Sequence, residues 1–113
     1  LAGQLQFELY AEVTAQWEVR ELAPLRELAG QHVLSEECVT DRFHYRRPGL
    51  WALHLRVHRL RRPVVQPDRP GYAGCVSWVY LDQPVRGEAE PVLSDDEHAR
   101  REAAVVAALG EAQ

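Results

Sequence analysis

Arginine side chains, the groups in this chain best suited to bind anions, are concentrated in one segment. Between Arg42 and Arg69 lie eight of the thirteen arginines and a single acid, Asp68, which gives a formal charge of +7 over 28 residues. The other 85 residues carry five arginines and sixteen acids, a charge of −11, and the two values sum to the −4 of the whole chain. Charge segregated in this way favours binding of an anionic partner or substrate on one face.

The basic segment predicts a nucleic-acid-binding surface, because guanidinium groups neutralise phosphates and aromatic rings stack on bases. The alternative is a solvated strand face whose arginines pair with Glu8, Glu12 and Glu18 on a neighbouring strand. Since histidines are mostly uncharged at neutral pH, we expect binding to strengthen as the pH falls through about 6.5. The candidate binding residues are Arg46, Arg47, His54, Arg56, His58, Arg59, Tyr72 and Trp78.

Cys75 is the one candidate nucleophile worth naming. Gly71 and Gly74 would let a substrate approach the backbone closely, and His54 or His58 could act as the base that activates the thiol. A small enzyme whose site is completed by an upstream segment is therefore an alternative function. Cys75 is better explained as a small buried residue that begins a strand, so the sequence favours a non-catalytic domain.

No cofactor and no metal are expected. In a strand, His54 and His58 are about 13 Å apart, which is too far for two ligands of one ion. The acids 95–97 follow Ser94 at a predicted helix start, where capping and the helix dipole explain them.

The predicted elements alternate with turn signals along the chain. They are, in order, a strand over 5–19, helices over 22–29 and 36–43, strands over 50–60 and 75–81, and a helix between Ser94 and Gly110. The order β-α-α-β-β-α has no βαβ repeat. It predicts an α+β fold, an antiparallel or mixed sheet of three or more strands with helices on one face.

Alternation within the second strand predicts which side chains point to the core. The core-facing set is Trp51, Leu53, Leu55 and Val57. The opposite, solvated set is His54, Arg56 and His58. The predicted apolar side of the last helix consists of Ala99, Ala103, Val106 and Leu109. Residues 63–70 contain three prolines and are predicted to form an extended connector.

Length and composition are typical of a single domain. The amino terminus lacks the basic and apolar regions of a signal peptide, and Cys38 and Cys75 lack CxxC spacing, so we expect a cytoplasmic protein with reduced thiols. The absence of methionine predicts a fragment that lacks an N-terminal portion. A protein-interaction module or homo-oligomer that pairs through the edge of the first strand is a third functional alternative.

Several short pieces of the chain together resemble an uncharacterised bacterial family, the domain of unknown function 1802. They are His32-Val33-Leu34-Ser35, Val39, Arg42, the strand Leu53 to Leu60, the glycine-cysteine-serine-tryptophan piece Gly71 to Val79, and Pro91-Val92-Leu93-Ser94. The resemblance implies membership without a mechanism, since the family has no established activity. It also implies an upstream basic portion that this chain lacks. Relatives tend to place apolar or aromatic residues where this sequence has His54 and His58, so a role for these histidines would be peculiar to this protein.

Overall fold

The fold was taken from a computed structural model, which describes residues 3–73 and 79–113. The elements are β1 (Gln4–Val19), α1 (Ala23–Arg26), α2 (Glu36–Phe43), β2 (Leu50–Pro67), β3 (Ala89–Pro91) and α3 (Asp95–Leu109), with a 3-10 turn at Pro70–Tyr72. The strands form a three-stranded antiparallel sheet in the order β1-β2-β3. The α+β class and the element order predicted from the sequence are confirmed.

Serine caps fix the starts of the two longer helices. The hydroxyl of Ser35 accepts a hydrogen bond of 3.1 Å from the backbone N–H of Cys38, and that of Ser94 accepts one of 3.1 Å from Glu97. These bonds satisfy N–H groups that have no partner inside the helix. Gly110, with φ of 86°, ends α3 in a conformation that suits glycine. In the described part of the chain, no helix has the length and apolar character that a bilayer crossing requires.

The second and third strands differ from the prediction. β2 continues to Pro67, because the φ angle of proline is compatible with extended backbone at positions that donate no ladder hydrogen bond. The third strand is Ala89–Pro91, which lies antiparallel to residues 58–60 of β2. The strand predicted over 75–81 is wrong for residues 79–81, which form no strand, and residues 74–78 lie outside the described part.

Opposite charges lie across the pairing of β3 with β2. Arg61 of β2 forms ion pairs of 3.1 Å with Glu88 and 2.7 Å with Glu90. The backbone N–H of Arg61 also donates a 2.9 Å hydrogen bond to the carbonyl of Glu88. Cross-strand pairs of opposite charge favour one register over its neighbours.

Contacts divide the chain into two compact units. The strand unit comprises the described residues of Leu1–Ala11 and Val57–Val92, and the helical unit comprises Glu12–Arg56 and Leu93–Gln113. In the strand unit Leu60 is buried, and a side chain at Gly87 would contact Leu60 and Val64. In the same unit, the buried amide of Gln66 donates hydrogen bonds to backbone carbonyls of residues 83 and 84.

The helical unit contains the main hydrophobic core. Its buried side chains are Trp17, Val19, Leu25, Leu28, Phe43 and Val105, with Leu50 and Ala52 of β2 packed against them. Trp17 is 2% exposed, and its indole N–H donates a 2.8 Å hydrogen bond to the carbonyl of Gly110. Burying a side chain of this size stabilises the fold by about 1.5–3 kcal/mol, and the hydrogen bond satisfies its one polar atom.

The two sides of β2 are the reverse of the prediction. The even-numbered residues Leu50, Ala52, His54 and Arg56 form the helix-facing side and are half-buried, as is His58 in the strand unit. Trp51, Leu53 and Leu55, the open side, are 54%, 45% and 43% exposed, and Val57 is 37% exposed. Thus the prediction that these four apolar residues point to the core is wrong. The first turns of α3 place His98 beside His54 and Asp95 beside Arg56, although Nε2 of His54 and Nε of Arg56 have no hydrogen-bond partner among the described residues.

The buried face of α3 also differs from the predicted apolar face. Ala99 and Ala103 are exposed, while His98, Glu102 and Val105 are half-buried or buried. These last three are spaced by four and three residues and therefore lie on one face of the helix. Val106 and Leu109 pack against the core, so the prediction is wrong for the two alanines and correct at the carboxyl-terminal end.

Candidate functional site

The residues predicted to bind nucleic acid fall into three surroundings. Arg46 and Arg47 lie in the exposed turn between α2 and β2, and His54 and Arg56 lie on the helix-facing side of β2. The remaining described candidates, His58, Arg59 and Tyr72, belong to the strand unit. Trp78 and the candidate nucleophile Cys75 lie outside the described residues.

Arg56 is held by α3. Its side chain is 17% exposed, and its Nη2 donates hydrogen bonds of 2.6 Å to Asp95 Oδ1 and 3.1 Å to the carbonyl of Leu93. Charge-assisted bonds of this length fix the guanidinium at the amino-terminal end of α3. Because its charge is already matched, Arg56 is poorly placed to neutralise a phosphate.

His54 lies beside a second histidine. Its ring centroid is 4.7 Å from that of His98, and Glu102 lies one helical turn beyond His98. Burial lowers the pKa of His54 below its ordinary value of 6.5, and the neighbouring His98 lowers it further, while Glu102 acts in the opposite direction. The neutral form of His54 is therefore favoured in the folded protein at neutral pH.

The predicted residues of the strand unit have partners of their own. The ring of His58 stacks on Tyr10 at a centroid distance of 4.6 Å. The hydroxyl of Tyr72 accepts a 2.8 Å hydrogen bond from the backbone N–H of Asp82. Arg59 is exposed and lies opposite Glu90 in the β2–β3 ladder. His58 and Tyr72 are thus occupied by contacts within the strand unit, whereas Arg59, among the described residues, is not.

The turn between α2 and β2 differs from the helix-facing side of β2 and from the strand unit. We call residues 42–51 the basic turn; it contains Arg42, Arg46 and Arg47, and residues 44–48 are all exposed. Arg46 has φ of 64°, and the N–H of Arg47 donates a 2.7 Å hydrogen bond to the carbonyl of Tyr45. A bond from residue i+2 to residue i around a positive φ is the geometry of a strained γ-turn. Strain of this kind is concentrated at functional sites.

Two exposed aromatic rings accompany the arginines of the basic turn. Tyr45 is 69% and Trp51 54% exposed, and Arg46 Cζ lies 5.2 Å from the centre of the Tyr45 ring. Trp51 lines two shallow grooves of about 670 and 440 Å³, one with Arg42 and Tyr45, the other with Arg47. Arginines set between exposed rings can contact phosphates and stack on bases at the same time.

Sequence reasoning missed His98 and Glu102, which the structure brings close to His54. Their spacing of four residues on a helix was the available signal, because it puts both side chains on one face. Their neighbour on β2 could not be inferred, since His54 was predicted to face solvent. A catalytic role for Cys75 with His54 or His58, and self-association through β1, which lies at an edge of the described sheet, stay predictions.

The chain was compared with known proteins in three ways. The model of the family described as domain of unknown function DUF1802 matches residues 1–104. Neither the curated proteins nor the solved structures contain a match to this chain. Since the family match extends over nearly the whole sequence, the chain belongs to the DUF1802 family.

Proposed function

We propose that this chain is a cytoplasmic, non-catalytic accessory domain that binds nucleic acid through the basic turn. Arg42, Arg46 and Arg47 would contact phosphates, and Tyr45 and Trp51 would stack on bases. The observation that carries the proposal is that exposed arginines and exposed aromatic rings come together at this turn, whereas Arg56, Arg61 and Arg69 are paired with acids. The site lies at the turn and not on the face of β2, because Arg56 is held by Asp95.

Ion pairs distinguish the arginines of the basic turn from Arg56, Arg61 and Arg69. Arg61 and Arg69 pair with acids of the strand unit, and Arg56 pairs with Asp95. In contrast, Arg46 and Arg47 form no ion pair within residues 3–73 and 79–113. Unpaired guanidinium groups retain their full electrostatic attraction for an anion.

Single-stranded nucleic acid fits the turn better than a duplex does. Residues 41–51 hold three arginines and one acid, a formal charge of +2, which is small for a protein that tracks a duplex backbone. Exposed rings offer base stacking that only unpaired bases can use fully, and stacking contributes about 1–3 kcal/mol per base. Hence we expect single strands to bind more tightly than duplexes of the same sequence.

Fluorescence anisotropy of labelled single- and double-stranded DNA and RNA, measured at several salt concentrations, tests this proposal. The variant is Arg46→Gly with Arg47→Ala, because glycine accommodates the positive φ at position 46. We expect at least a tenfold loss of affinity for single strands. The slope of log K against log salt should become shallower by about 1.4, since each phosphate contact contributes about 0.7 on a single strand.

The matched control is Arg61→Ala with Arg69→Ala, which removes the same charge from arginines that are paired with acids. This control should lose less affinity for single strands than the basic-turn variant does, although the two variants have the same overall charge. An equal loss in both variants would mean that only net charge matters. Absence of binding by the wild type at low salt would overturn the proposal.

A further inference from the structure

Three potential metal ligands converge in the helical unit. His54 projects from the helix-facing side of β2, and His98 and Glu102 project from one face of α3. One ligand atom from each residue lies within 4.8 Å of the ligand atoms of the other two. All three residues are half-buried, so bulk water does not fully solvate them.

One nitrogen in this cluster lacks a partner. Nε2 of His54 is buried and has no hydrogen-bond partner among the described residues. A buried polar atom without a partner is costly, and coordination of a cation would satisfy it. The neutral imidazole is the form that binds metals.

Thr14 orients the second histidine. Its hydroxyl donates a 3.3 Å hydrogen bond to the carbonyl of His54 and lies 3.4 Å from Nε2 of His98. A hydroxyl whose hydrogen is used in this way can accept a hydrogen bond from Nε2–H, which leaves the lone pair of His98 on Nδ1. Metal-ligating histidines are commonly oriented by such a hydrogen bond from the other ring nitrogen.

We propose that His54, His98 and Glu102 bind a divalent transition-metal ion of the zinc class. Two imidazoles and one carboxylate are a ligand set that zinc uses in sites where a fourth position stays open. Tetrahedral ligands at about 2.1 Å from zinc are separated by ~3.4 Å, so the donor atoms must approach one another by at most ~1.4 Å. Rotation of the long Glu102 side chain, together with small shifts of the rings, provides this movement.

The surroundings suit such an ion. The histidines line a pocket of about 560 Å³ that also includes Arg42, Arg101 and Trp17. Arg101 is paired with Glu97 at 3.0 Å, so its charge is matched away from the proposed site. With three protein ligands, the fourth position would take water or an anion from this pocket.

The sequence predicted no metal site because His54 and His58 are too far apart in a strand, and these two histidines do not form the proposed site. His54 belongs to the helical unit and His58 to the strand unit, where it stacks on Tyr10. The second histidine comes instead from α3, 44 residues away along the chain from His54. The proposed site exists because the polar side of β2 is buried. Metal binding there is independent of nucleic-acid binding by the basic turn.

Titration calorimetry of Zn²⁺ into the untagged 113-residue chain under reducing conditions tests the proposal. We expect one equivalent to bind with a micromolar or tighter Kd. His98→Ala and Glu102→Gln should each weaken binding at least tenfold. Co²⁺ should give the visible absorption of a four-coordinate site in the wild type and not in Glu102→Gln. Glu102→Gln is nearly isosteric, so it keeps the test valid where His98→Ala fails to fold.

Two control variants exclude other ligands. His44 is exposed at the end of α2 and Cys38 is a free thiol of the same helix. His44→Ala and Cys38→Ser should therefore bind Zn²⁺ as the wild type does. Zn²⁺ should also raise the Tm of the wild type and of both controls, but not of Glu102→Gln. Absence of binding by the wild type, or unchanged binding in Glu102→Gln, would overturn the proposal, as would loss of binding in either control.

Discussion

The two sides of β2 in the helical unit have opposite chemistry and opposite environments. The helix-facing side carries His54 and Arg56, and both are half-buried beneath α3. The open side carries Trp51, Leu53 and Leu55, whose exposures lie between 43% and 54%. In most sheets with one solvated face the arrangement is reversed, with apolar residues inside and polar residues outside.

The comparison shows that a side chain's partners decide whether it is covered. Arg56 has an ion pair and a carbonyl as partners, His54 has a second imidazole, and Leu50 and Ala52 join the core on the same side. Polar groups that find partners can be buried at small net cost, whereas Nε2 of His54 and Nε of Arg56, which have no partner among the described residues, retain a desolvation cost. The open side has no comparable cover from the described residues, and an exposed apolar strand side is where a partner most often binds.

Tryptophan substitutions on the covered and open sides should give the largest contrast. Trp17→Ala removes a ring that is 2% exposed together with its hydrogen bond to Gly110. We expect a loss of about 3–5 kcal/mol in the free energy of unfolding. Trp51→Ala removes a ring that is 54% exposed, and we expect a loss below about 1 kcal/mol.

Urea unfolding followed by far-UV circular dichroism measures both variants without relying on tryptophan fluorescence. Similar losses for the two variants would contradict the comparison, because they would mean that the open side is covered in solution. Repeating the measurement over a range of protein concentrations separates cover by a second copy from cover within one chain. Only cover by a second copy makes the loss of stability in Trp51→Ala depend on protein concentration.

A smaller contrast is expected between two arginines of β2. Arg56→Ala removes the hydrogen bonds to Asp95 and to the carbonyl of Leu93, and we expect a loss of about 1–2 kcal/mol. Arg59→Ala, three residues further along at an exposed position, should change stability by less than about 0.5 kcal/mol. Denaturant unfolding of both variants at low and high salt checks this, and equal effects would show that Arg56 is not held as described.

Local signals were the part of the structure that the sequence predicted well. The strand up to Val19, the helix over 36–43 and the helix start at Ser94 all depend on neighbours within a few positions. Such interactions involve residues that are close together in the sequence. The predicted boundaries of α2 and the predicted start of α3 were therefore correct. The α+β class followed from the order of these elements.

Long-range partners were the part that the sequence could not supply. Alternation shows that the two sides of β2 differ, but it does not show which side α3 covers. The pairing of β3 depends on Arg61 meeting Glu88 and Glu90, which are 27 and 29 residues away. Likewise, the approach of His98 to His54 requires the position of α3 over the sheet. Predictions about the candidate site failed where they depended on these contacts.

The pH dependence of stability should provide the smallest and most local test of the helix-facing side. Burial, aided by His98 and opposed by Glu102, lowers the pKa of His54 in the folded chain below 6.5. Between that folded pKa and 6.5 the unfolded chain binds more protons, so stability rises with pH in this window. The stability linked to neutral His54 is therefore fully present above a pH of about 6.5. It is lost as the pH falls through the pKa that His54 has in the folded chain.

Unfolding free energies measured between pH 5 and 8 in the presence of a chelator, which excludes bound metal, test this dependence. His54→Gln should flatten the curve below pH 6.5, because glutamine does not titrate there. His44→Gln, at an exposed position, should keep the wild-type slope. A wild-type slope in His54→Gln would show that His54 is not desolvated beneath α3, and the contrast between the two sides of β2 would then rest on Arg56 alone.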